Sequence, residues 1–306
     1  AKVGALIWNQ YTDWPAMLQA GKRADELGYD SLWTWDHLYP IIGDPEGPFL
    51  EGYMVMAAWS QHVSSATIGL LVGANTFRNP GLVVKMVTTL DHLTGGRAVL
   101  GIGGAWFETE HTAFGIDFGS GFGQRLDWLD ESAQLMHDML HQPTASARGD
   151  RYHAVDVRND PAPLQPTLPI LIGGGGEKKT LRTVARYADA WNIAQVTPEQ
   201  GAHKIEVLKR HCDDVGRDFG EIELTLSLGP MVIRDDPAQA AQADAVYRAA
   251  NPKTPRDLLL GSGDEITELC QEYAAVGFTH FIYHSPPPHD AETLERFATE
   301  VRPSID

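Results

Sequence analysis

Short apolar segments alternate with longer amphipathic segments along most of the chain. The apolar segments have the length of β-strands, and the segments between them carry apolar residues at helical spacing. This alternation predicts a parallel sheet with helices packed outside it. The eight predicted strands are Val3–Trp8, Ser31–Trp35, Thr67–Val72, Ala98–Ile102, Pro169–Ile172, Ala190–Ala194, Glu223–Val232 and Thr279–Tyr283.

Two of the predicted helices end at glycines. Trp14–Leu27 is followed by Gly28, and Gly81–Leu93 is followed by Gly95 and Gly96. Glycine readily adopts the left-handed conformation in which helices commonly end. The other predicted helices are Gly52–His62, Gln124–Leu140, Lys178–Tyr187, Pro198–Val215, Asp264–Val276 and Ala291–Val301.

Eight strand–helix units favour an α/β fold of the closed (β/α)₈ type, a TIM barrel, over an open sheet. We expect one such domain over residues 1–306, with loop insertions at its C-terminal face. Active sites of this fold lie at the carboxyl ends of the strands and in the loops that follow them. The residues directly after each strand are therefore the candidates for function.

Composition narrows the classes of protein and partner. The 306 residues carry a formal net charge of −17, which disfavours nucleic acid and anionic membranes as partners. The hydrophobic fraction of 43% suffices for a large core. Only Cys212 and Cys270 are present, so no disulfide framework or thiolate metal cluster is expected. No long apolar run or leader pattern occurs, and we expect a cytoplasmic protein.

A carboxylate and an imidazole follow the second predicted strand, as Asp36 and His37. Histidine changes its charge close to neutral pH, so His37 could donate or accept a proton during turnover. Alternatively, Asp36 caps the following turn and His37 is a half-buried spacer. The pattern leaves both interpretations open.

Small residues follow the third and fourth predicted strands. Gly73, Ala74 and Asn75 end one strand, and Gly103–Ala105 end the next, directly before Trp106. Small side chains allow a flat ligand to approach the backbone. The second segment lacks a complete G-x-G-x-x-G pattern and its acidic partner, which excludes a Rossmann dinucleotide site. Trp106 is either an aromatic wall for a ligand or a packing residue.

Four consecutive glycines, Gly173–Gly176, connect the fifth predicted strand to a helix. Backbone N–H groups in such a loop can converge on an anion beside the positive end of the helix. Lys178, Lys179 and Arg182 follow within a few residues. The pattern favours a phosphate site, and the alternative is a flexible loop before a helix with a solvated basic face.

Two other polar groups are assigned no function. His137 and His141 have the spacing of helical metal ligands, but no third ligand accompanies them, and no metal site is predicted. Glu108, Glu110 and His111 are expected on the surface of a helix.

Three long stretches of the chain together resemble the bacterial luciferase-like monooxygenase superfamily. They are WTWDHL, GLLVGANTFRNPGLVVKMVTTLDHLTGGRAVLGIGGAWFETEHTAFG and PILIGGGGEKKTLRTVARYADAWNI. The similarity extends from residue 2 almost to the C-terminus and includes Gly261–Glu265 and Gly277–Phe281. The chain most resembles the branch of probable F420-dependent oxidoreductases. This resemblance implies a (β/α)₈ barrel that holds a flavin or deazaflavin.

The resemblance also implies roles for individual residues. Asp36 would contact the cofactor head group, and His37 would donate or accept the proton. Leu71 and Val72 match a bulge that backs the cofactor ring, often with a non-prolyl cis peptide. The remaining implied cofactor contacts are Ala74, Asn75, Gly104, Ala105 and Thr109, with Gly174, Gly175, Gly176 and Thr180 in the phosphate-binding loop.

The sequence therefore predicts an F420-dependent oxidoreductase that transfers a hydride between the deazaflavin and a small organic substrate. Sugar-phosphate dehydrogenases of this branch carry an acid–base glutamate where this chain has Trp106. A sugar-phosphate alcohol is therefore disfavoured, and a flat or apolar substrate is favoured. The alternatives are an FMN-dependent monooxygenase that uses reduced flavin and O₂, a non-catalytic flavin-binding barrel, and an unrelated phosphate-binding barrel. The family often forms dimers, so a homodimer is expected.

Overall fold

The computed structural model describes residues 1–305, and residue 306, the last of the predicted domain, lies outside the described residues. Within this range the strands are β1 (Lys2–Ile7), β2 (Ser31–Thr34), β3 (Thr67–Leu70), β4 (Gly73–Ala74), β5 (Ala98–Gly103), β6 (Ala145–Arg148), β7 (His153–Val157), β8 (Ile170–Gly173), β9 (Ala190–Ala194), β10 (Glu223–Ile233), β11 (Leu259–Gly261) and β12 (His280–Ser285).

The helices found in the same range alternate with these strands. They are α1 (Trp14–Glu26), α2 (Gly52–Trp59), α3 (Pro80–Thr94), α4 (Glu108–Phe114), α5 (Phe122–His141), α6 (Thr180–Tyr187), α7 (Pro198–Val215), α8 (Pro237–Ala250), α9 (Gly263–Val276) and α10 (Ala291–Arg296), the last continued by a π-helical turn over Phe297–Val301.

The predicted (β/α)₈ barrel is confirmed. The eight predicted strands correspond to β1, β2, β3, β5, β8, β9, β10 and β12, and each is followed by at least one helix. Helix α4, which contains the residues expected on a helix surface, follows the carboxyl end of β5, and α8, which the sequence pattern did not predict, follows that of β10. Insertions at this face are the expected position for residues that vary between members of this fold.

The described residues group into two compact units. Unit 1 comprises Ala1–Ile68, Ile193–Ala202 and the residues from Leu224 onwards, and unit 2 comprises Gly69–Asn192 and His203–Glu223. In unit 1, β12 lies between β1 and β10 with all strands parallel, and β1 also pairs with β2. In unit 2, β5 pairs with β4 and β8, and β8 pairs with β9, again in parallel.

Local sequence explains where several helices begin and end. The Asp13 side chain accepts from the N–H of Ala16 at the start of α1, and Asn79 caps α3 in the same way. Gly28 and Gly95 have φ angles of 79° and 70°, as helix-terminating glycines require. The predicted helix at Lys178 instead begins two residues later, as α6 at Thr180.

The core of each unit is formed by large apolar side chains. In unit 1, Trp59 is fully buried and its indole Nε1 donates to the carbonyl of Met17, 3.1 Å away, which joins α2 to α1. In unit 2, Trp191 on β9 is fully buried. Within residues 1–305, no helix combines the length and the apolar composition needed to cross a membrane.

Candidate functional site

Asp36 lies in unit 1, two residues after β2, and is 2% exposed. The preceding residue, Trp35, is held at both backbone groups by Asn9. The Asn9 amide nitrogen donates to the Trp35 carbonyl at 3.0 Å, and the Asn9 oxygen accepts from the Trp35 N–H at 3.3 Å. The same amide nitrogen also donates to the Leu50 carbonyl. Asn9 therefore fixes the end of β2 directly before the Asp36–His37 pair.

That Asp36 caps the turn after β2 stays a prediction. The next helix, α2, begins only at Gly52, and the Glu51 side chain caps it. His37 is partly exposed, and its ring meets Phe49 edge-on with 6.3 Å between the ring centroids. The pair thus combines a buried carboxylate with an imidazole that solvent can reach.

A second histidine of unit 1, His284 on β12, is packed among aromatic rings. The ring centroids of Trp8 and Trp35 are 4.7 Å apart, and His284 meets both rings edge-on. Burial lowers the pKa of His284 to about 3, so its imidazole is neutral. Because the Trp8 indole N–H can only donate, Nδ1 of His284 accepts, and the imidazole proton lies on Nε2.

In unit 2, the glycines of β5 make room for protein atoms. A Cβ on Gly101 would lie 1.8 Å from the Leu70 carbonyl oxygen, and one on Gly103 would lie 2.6 Å from Val72 Cγ2. A Cβ on Gly104 would lie 2.8 Å from Leu126. The approach of a flat ligand to these glycines stays a prediction. They allow close packing of the chain against itself.

The strand is interrupted at Leu71 and Val72, between β3 and β4, where the resemblance implies a bulge. The peptide bond between Leu71 and Val72 is cis, as the family resemblance implied. Ala74 then pairs with Gly103 through β4 and β5. The Val72 side chain lies against both Gly103 and Gly173, so this interruption is seated on two glycines from adjacent strands.

Asn75, the next residue in this segment, is buried and almost fully bonded. Its N–H donates to the Gly103 carbonyl, and its side-chain nitrogen donates to the Arg125 carbonyl, both at 3.2 Å. Its own carbonyl accepts from the Tyr152 hydroxyl. The side-chain oxygen Oδ1 has no hydrogen-bond partner, although it is buried. A buried acceptor without a donor is costly, which is the expected state of a group that bonds to a ligand.

The glycine loop after β8 is held at Gly174 and at the Gly176 carbonyl, which accepts from the Leu181 N–H at 3.0 Å. The Gly174 N–H donates to the Asn192 carbonyl at 2.9 Å, and the Gly174 carbonyl accepts from the Trp191 indole at 2.8 Å. Within the described residues, the N–H groups of Gly175 and Gly176 are bonded to no protein acceptor. Thr180, which begins α6, is buried beside Gly176. The loop thus presents free donors next to a helix start, as an anion site requires.

Fewer basic side chains beside this loop are free to bind an anion than the sequence indicates. Lys179 forms a 2.6 Å ion pair with Asp127 of α5, and Arg186 forms a 2.8 Å ion pair with Asp130. Lys178 and Arg182 are exposed, and neither forms an ion pair within residues 1–305. The positive charge left for a phosphate therefore comes from Lys178 and Arg182 rather than from the whole cluster.

Two residues after β5 that the sequence places on the surface of a helix are buried instead. Glu110 and His111 are buried, and the His111 ring bonds to the Thr76 hydroxyl at 2.7 Å and the Phe107 carbonyl at 2.8 Å. Thr109 is exposed on the first turn of α4, and its contact with a cofactor stays a prediction. Trp106 is 57% exposed and is therefore not a core packing residue.

The histidine pair of α5 forms a ring stack. The rings of His137 and His141 lie 4.2 Å apart between centroids and nearly parallel. In the part of the chain that the structure describes, no group of three or more metal-ligating side chains could hold an ion.

The structure thus brings most predicted cofactor residues together in unit 2 and places Asp36 and His37 in unit 1. Two residues with a structural role at these segments, Asn9 and Arg125, were not predicted. Asn9 ends the first apolar run, and Arg125 lies inside a predicted helix, so neither differs locally from many other polar residues. Their importance depends on contacts distant in sequence.

Comparison with known proteins identifies the family. The family model for luciferase-like monooxygenases matches residues 4–275. A protein of Amycolatopsis mediterranei (strain U-32) named F420-dependent glucose-6-phosphate dehydrogenase is 23% identical, with 94% of each chain covered. One of the same name from Kineococcus radiotolerans is 25% identical over 92% of this chain and 90% of the relative.

Solved structures share the fold. An F420-dependent secondary alcohol dehydrogenase, solved in complex with an F420–acetone adduct, superposes with a TM-score of 0.83 at 19% identity, covering 100% of this chain and 99% of the other. The monooxygenase RslO1 from Streptomyces bottropensis superposes with a TM-score of 0.83 at 18% identity, with both chains fully covered. The resemblance stated from sequence, and the oxidoreductase class that it implies, are confirmed. The chain belongs to the luciferase-like monooxygenase family.

Proposed function

We propose that this protein is an F420-dependent oxidoreductase that transfers a hydride between the deazaflavin and a small organic substrate. The observation that carries the proposal is the glycine loop of unit 2, where the N–H groups of Gly175 and Gly176 remain free beside Thr180. This loop occurs in a chain that is similar to two proteins named F420-dependent glucose-6-phosphate dehydrogenase. A cofactor with a phosphate group suits such a loop.

The residues of unit 2 fit this cofactor. The free amides of the glycine loop suit the phosphate, and the unpaired Oδ1 of Asn75 suits a hydrogen-bond donor on the ring system. Exposed Lys178 and Arg182 suit the acidic tail that F420 carries. The residues of unit 2 proposed to contact the cofactor are Leu71, Val72, Ala74, Asn75, Gly104, Ala105, Gly174, Gly175, Gly176 and Thr180; Asp36 and Thr109 stay predictions from the resemblance.

When bound, the deazaflavin supplies the hydride chemistry, and the protein supplies binding, orientation and proton transfer. We assign proton transfer to His37, because it is a partly exposed imidazole next to a buried carboxylate. Asp36 is proposed to steady this imidazole, and Asn9 holds the backbone before Asp36 through the bonds to Trp35.

The substrate is proposed to be flat or apolar. Trp106 stands where the sugar-phosphate dehydrogenases of the branch have their acid–base glutamate, and its indole is 57% exposed. An indole offers an apolar face and one N–H donor but cannot transfer protons. We therefore expect turnover with apolar or aromatic alcohols and ketones rather than with glucose 6-phosphate.

The experiment follows F420 absorbance with a panel of aromatic and aliphatic alcohols, using glucose 6-phosphate for comparison. We expect His37→Ala to lower kcat roughly 100-fold or more with a substrate found in this way, as removal of a general acid–base group does. The matched control is His62→Ala, which removes an exposed histidine of the same unit. Turnover of His37→Ala within a few-fold of wild type would show that His37 does not transfer the proton.

An FMN-dependent monooxygenase is the second candidate, because the matching family model is named for monooxygenases. Both candidates use the same glycine loop, so the cofactor must be identified by binding. A cytoplasmic location and a homodimer stay predictions from the sequence. Sedimentation analysis of the purified protein would test the dimer.

A further inference from the structure

Arg125 lies in the first turns of α5 and carries a buried positive charge. The residue is 5% exposed, and its guanidinium carbon lies 3.6 Å from the centroid of the Phe118 ring. Within residues 1–305, no carboxylate lies within ion-pair distance of it, and burial lowers the pKa of Arg125. Such a charge is expensive to bury unless hydrogen bonds and ring contacts compensate it. The arrangement therefore calls for a functional explanation.

The guanidinium bonds to two backbone carbonyls. Its Nε donates to the Ala105 carbonyl at 3.3 Å, and Nη1 donates to the Phe118 carbonyl at 3.1 Å. Ala105 has a φ angle of 55°, a left-handed conformation that residues with a Cβ rarely adopt. The bond from Arg125 holds the carbonyl of this strained residue in place.

The backbone of the same residue acts on a second segment. The Arg125 carbonyl accepts from the side-chain nitrogen of Asn75 at 3.2 Å. Because the nitrogen of the carboxamide is fixed as the bonded donor, the position of the unpaired Oδ1 is fixed as well.

The next residue extends the contact to the glycine loop. Leu126 lies 2.8 Å from the position that a Cβ on Gly104 would take, and 3.8 Å from that of Gly176. The first turns of α5 therefore touch three segments to which cofactor contacts are assigned, around residues 75, 105 and 176. No other described residue bonds to both Ala105 and Asn75.

We propose that Arg125 is a positioning residue that sets the left-handed conformation of Ala105 and the orientation of the Asn75 carboxamide for cofactor binding. The inference rests on the proposed function, since the ligand of these segments is taken to be F420. Arg125 acts through Ala105 and Asn75, and no contact of its own with the cofactor is required.

The test measures the dissociation constant of F420 by fluorescence, in parallel with the melting temperature. We expect Arg125→Met to raise the dissociation constant at least tenfold. Arg125→Lys keeps the charge but not the planar guanidinium with its several N–H donors. We therefore expect the dissociation constant to rise about threefold to fivefold. The matched control is Arg151→Met, because Arg151 also stacks on an aromatic ring in unit 2, 3.9 Å from the Trp128 centroid, without touching Ala105 or Asn75. This control should change binding less than twofold.

A rescue experiment separates positioning from general destabilisation. Glycine adopts the left-handed conformation without the penalty of a Cβ, so Ala105→Gly should reduce the dependence on Arg125. We expect the loss of affinity in the double variant, Arg125→Met with Ala105→Gly, to be several-fold smaller than in Arg125→Met alone. If Arg125→Met does not fold, the same comparison is made with Arg125→Lys.

Three results would overturn the inference. They are an affinity of folded Arg125→Met within twofold of wild type, an equal loss in Arg151→Met, and the absence of rescue by Ala105→Gly. These outcomes leave the proposed function intact, because wild type still binds F420. If wild type itself does not bind F420, the proposed function fails and this inference fails with it.

Discussion

Two glycine-rich strand ends of unit 2 look alike in sequence and differ in what surrounds them. At residues 101–104, the space that a side chain would occupy is already filled by Leu70, Val72 and Leu126. At residues 174–176, one glycine is bonded at both backbone groups, and the other two keep free N–H groups beside Thr180. One end packs the chain against itself, and the other offers donors to a ligand.

This difference shows that a glycine run after a strand indicates two separate functions. Removal of Cβ atoms permits close approach, but the sequence does not say whether protein or ligand approaches. The distinction becomes visible only from the neighbours of each glycine. It also predicts that substitutions at the two ends will affect different measurements.

Gly103→Ala should lower stability strongly. The new Cβ would lie 2.6 Å from Val72 Cγ2, so the free energy of unfolding should fall by about 2–3 kcal/mol, as for an overpacked core. Denaturant unfolding measures this loss. Val72→Ala in the same chain should restore part of it, because it removes the clashing methyl group. Gly123→Ala, whose Cβ meets only Lys179 Nζ at 4.0 Å, serves as the control.

A loss of stability in Gly103→Ala below about 0.5 kcal/mol, or no rescue by Val72→Ala, would contradict close packing at this strand end. Close packing would then no longer distinguish residues 101–104 from residues 174–176.

Neither glycine segment contains a titratable side chain, so substitutions there should leave the pH dependence of stability unchanged, whereas two buried histidines of unit 1 should contribute to it. Burial lowers the pKa of His284 to about 3 and that of His289 to about 4. Below the unfolded pKa of about 6.5, the unfolded chain binds protons that the folded chain excludes. The free energy of unfolding should therefore fall by about 2 kcal/mol per histidine between pH 6.5 and 5.

Urea unfolding at pH 7 and pH 5 checks this expectation. His284→Gln, which keeps an acceptor for Trp8 without a titrating ring, should show a smaller fall than wild type. The loss caused by Gly103→Ala should be equal at both pH values. An identical pH dependence in wild type and His284→Gln would contradict the assigned origin.

Gly176→Ala should have the smallest effect on stability and a clear effect on binding. Its Cβ would lie 2.7 Å from Thr180 Oγ1, which must move away from the loop. We expect the dissociation constant of F420 to rise about tenfold, which corresponds to about 1.4 kcal/mol. Gly121→Ala, with no atom within 4 Å of its Cβ, is the control. Unchanged affinity in Gly176→Ala would mean that this loop does not hold the phosphate.

The sequence predicted the strands well because β-strands of a parallel barrel are short apolar runs, buried on both faces. It missed α8, in which only Ala240 and Tyr247 are buried, so no apolar stripe marks the helix. It also placed Glu110 and His111 on a surface, although the structure buries both. Their burial depends on hydrogen bonds such as that of His111 to Thr76, 35 residues away.

The candidate site likewise contains residues that the sequence reveals and residues that it does not. Asp36 and His37 are marked by their chemistry and their position after a strand, which the sequence shows directly. Arg125 and Asn9 act through backbone carbonyls far along the chain, and no local pattern distinguishes them. The sequence also indicates more free positive charge beside the glycine loop than the structure leaves. Lys179 is paired with Asp127, which lies 52 residues earlier on another helix.

The central claim is that the glycine loop and the segments around it bind a deazaflavin. Equilibrium titration of the purified protein with F420 and with FMN, under air and without oxygen, tests this claim most directly. We expect F420 to bind with a micromolar or lower dissociation constant, and FMN to bind far more weakly. Micromolar binding of FMN with substrate-linked oxygen uptake, and no binding of F420, would contradict the account.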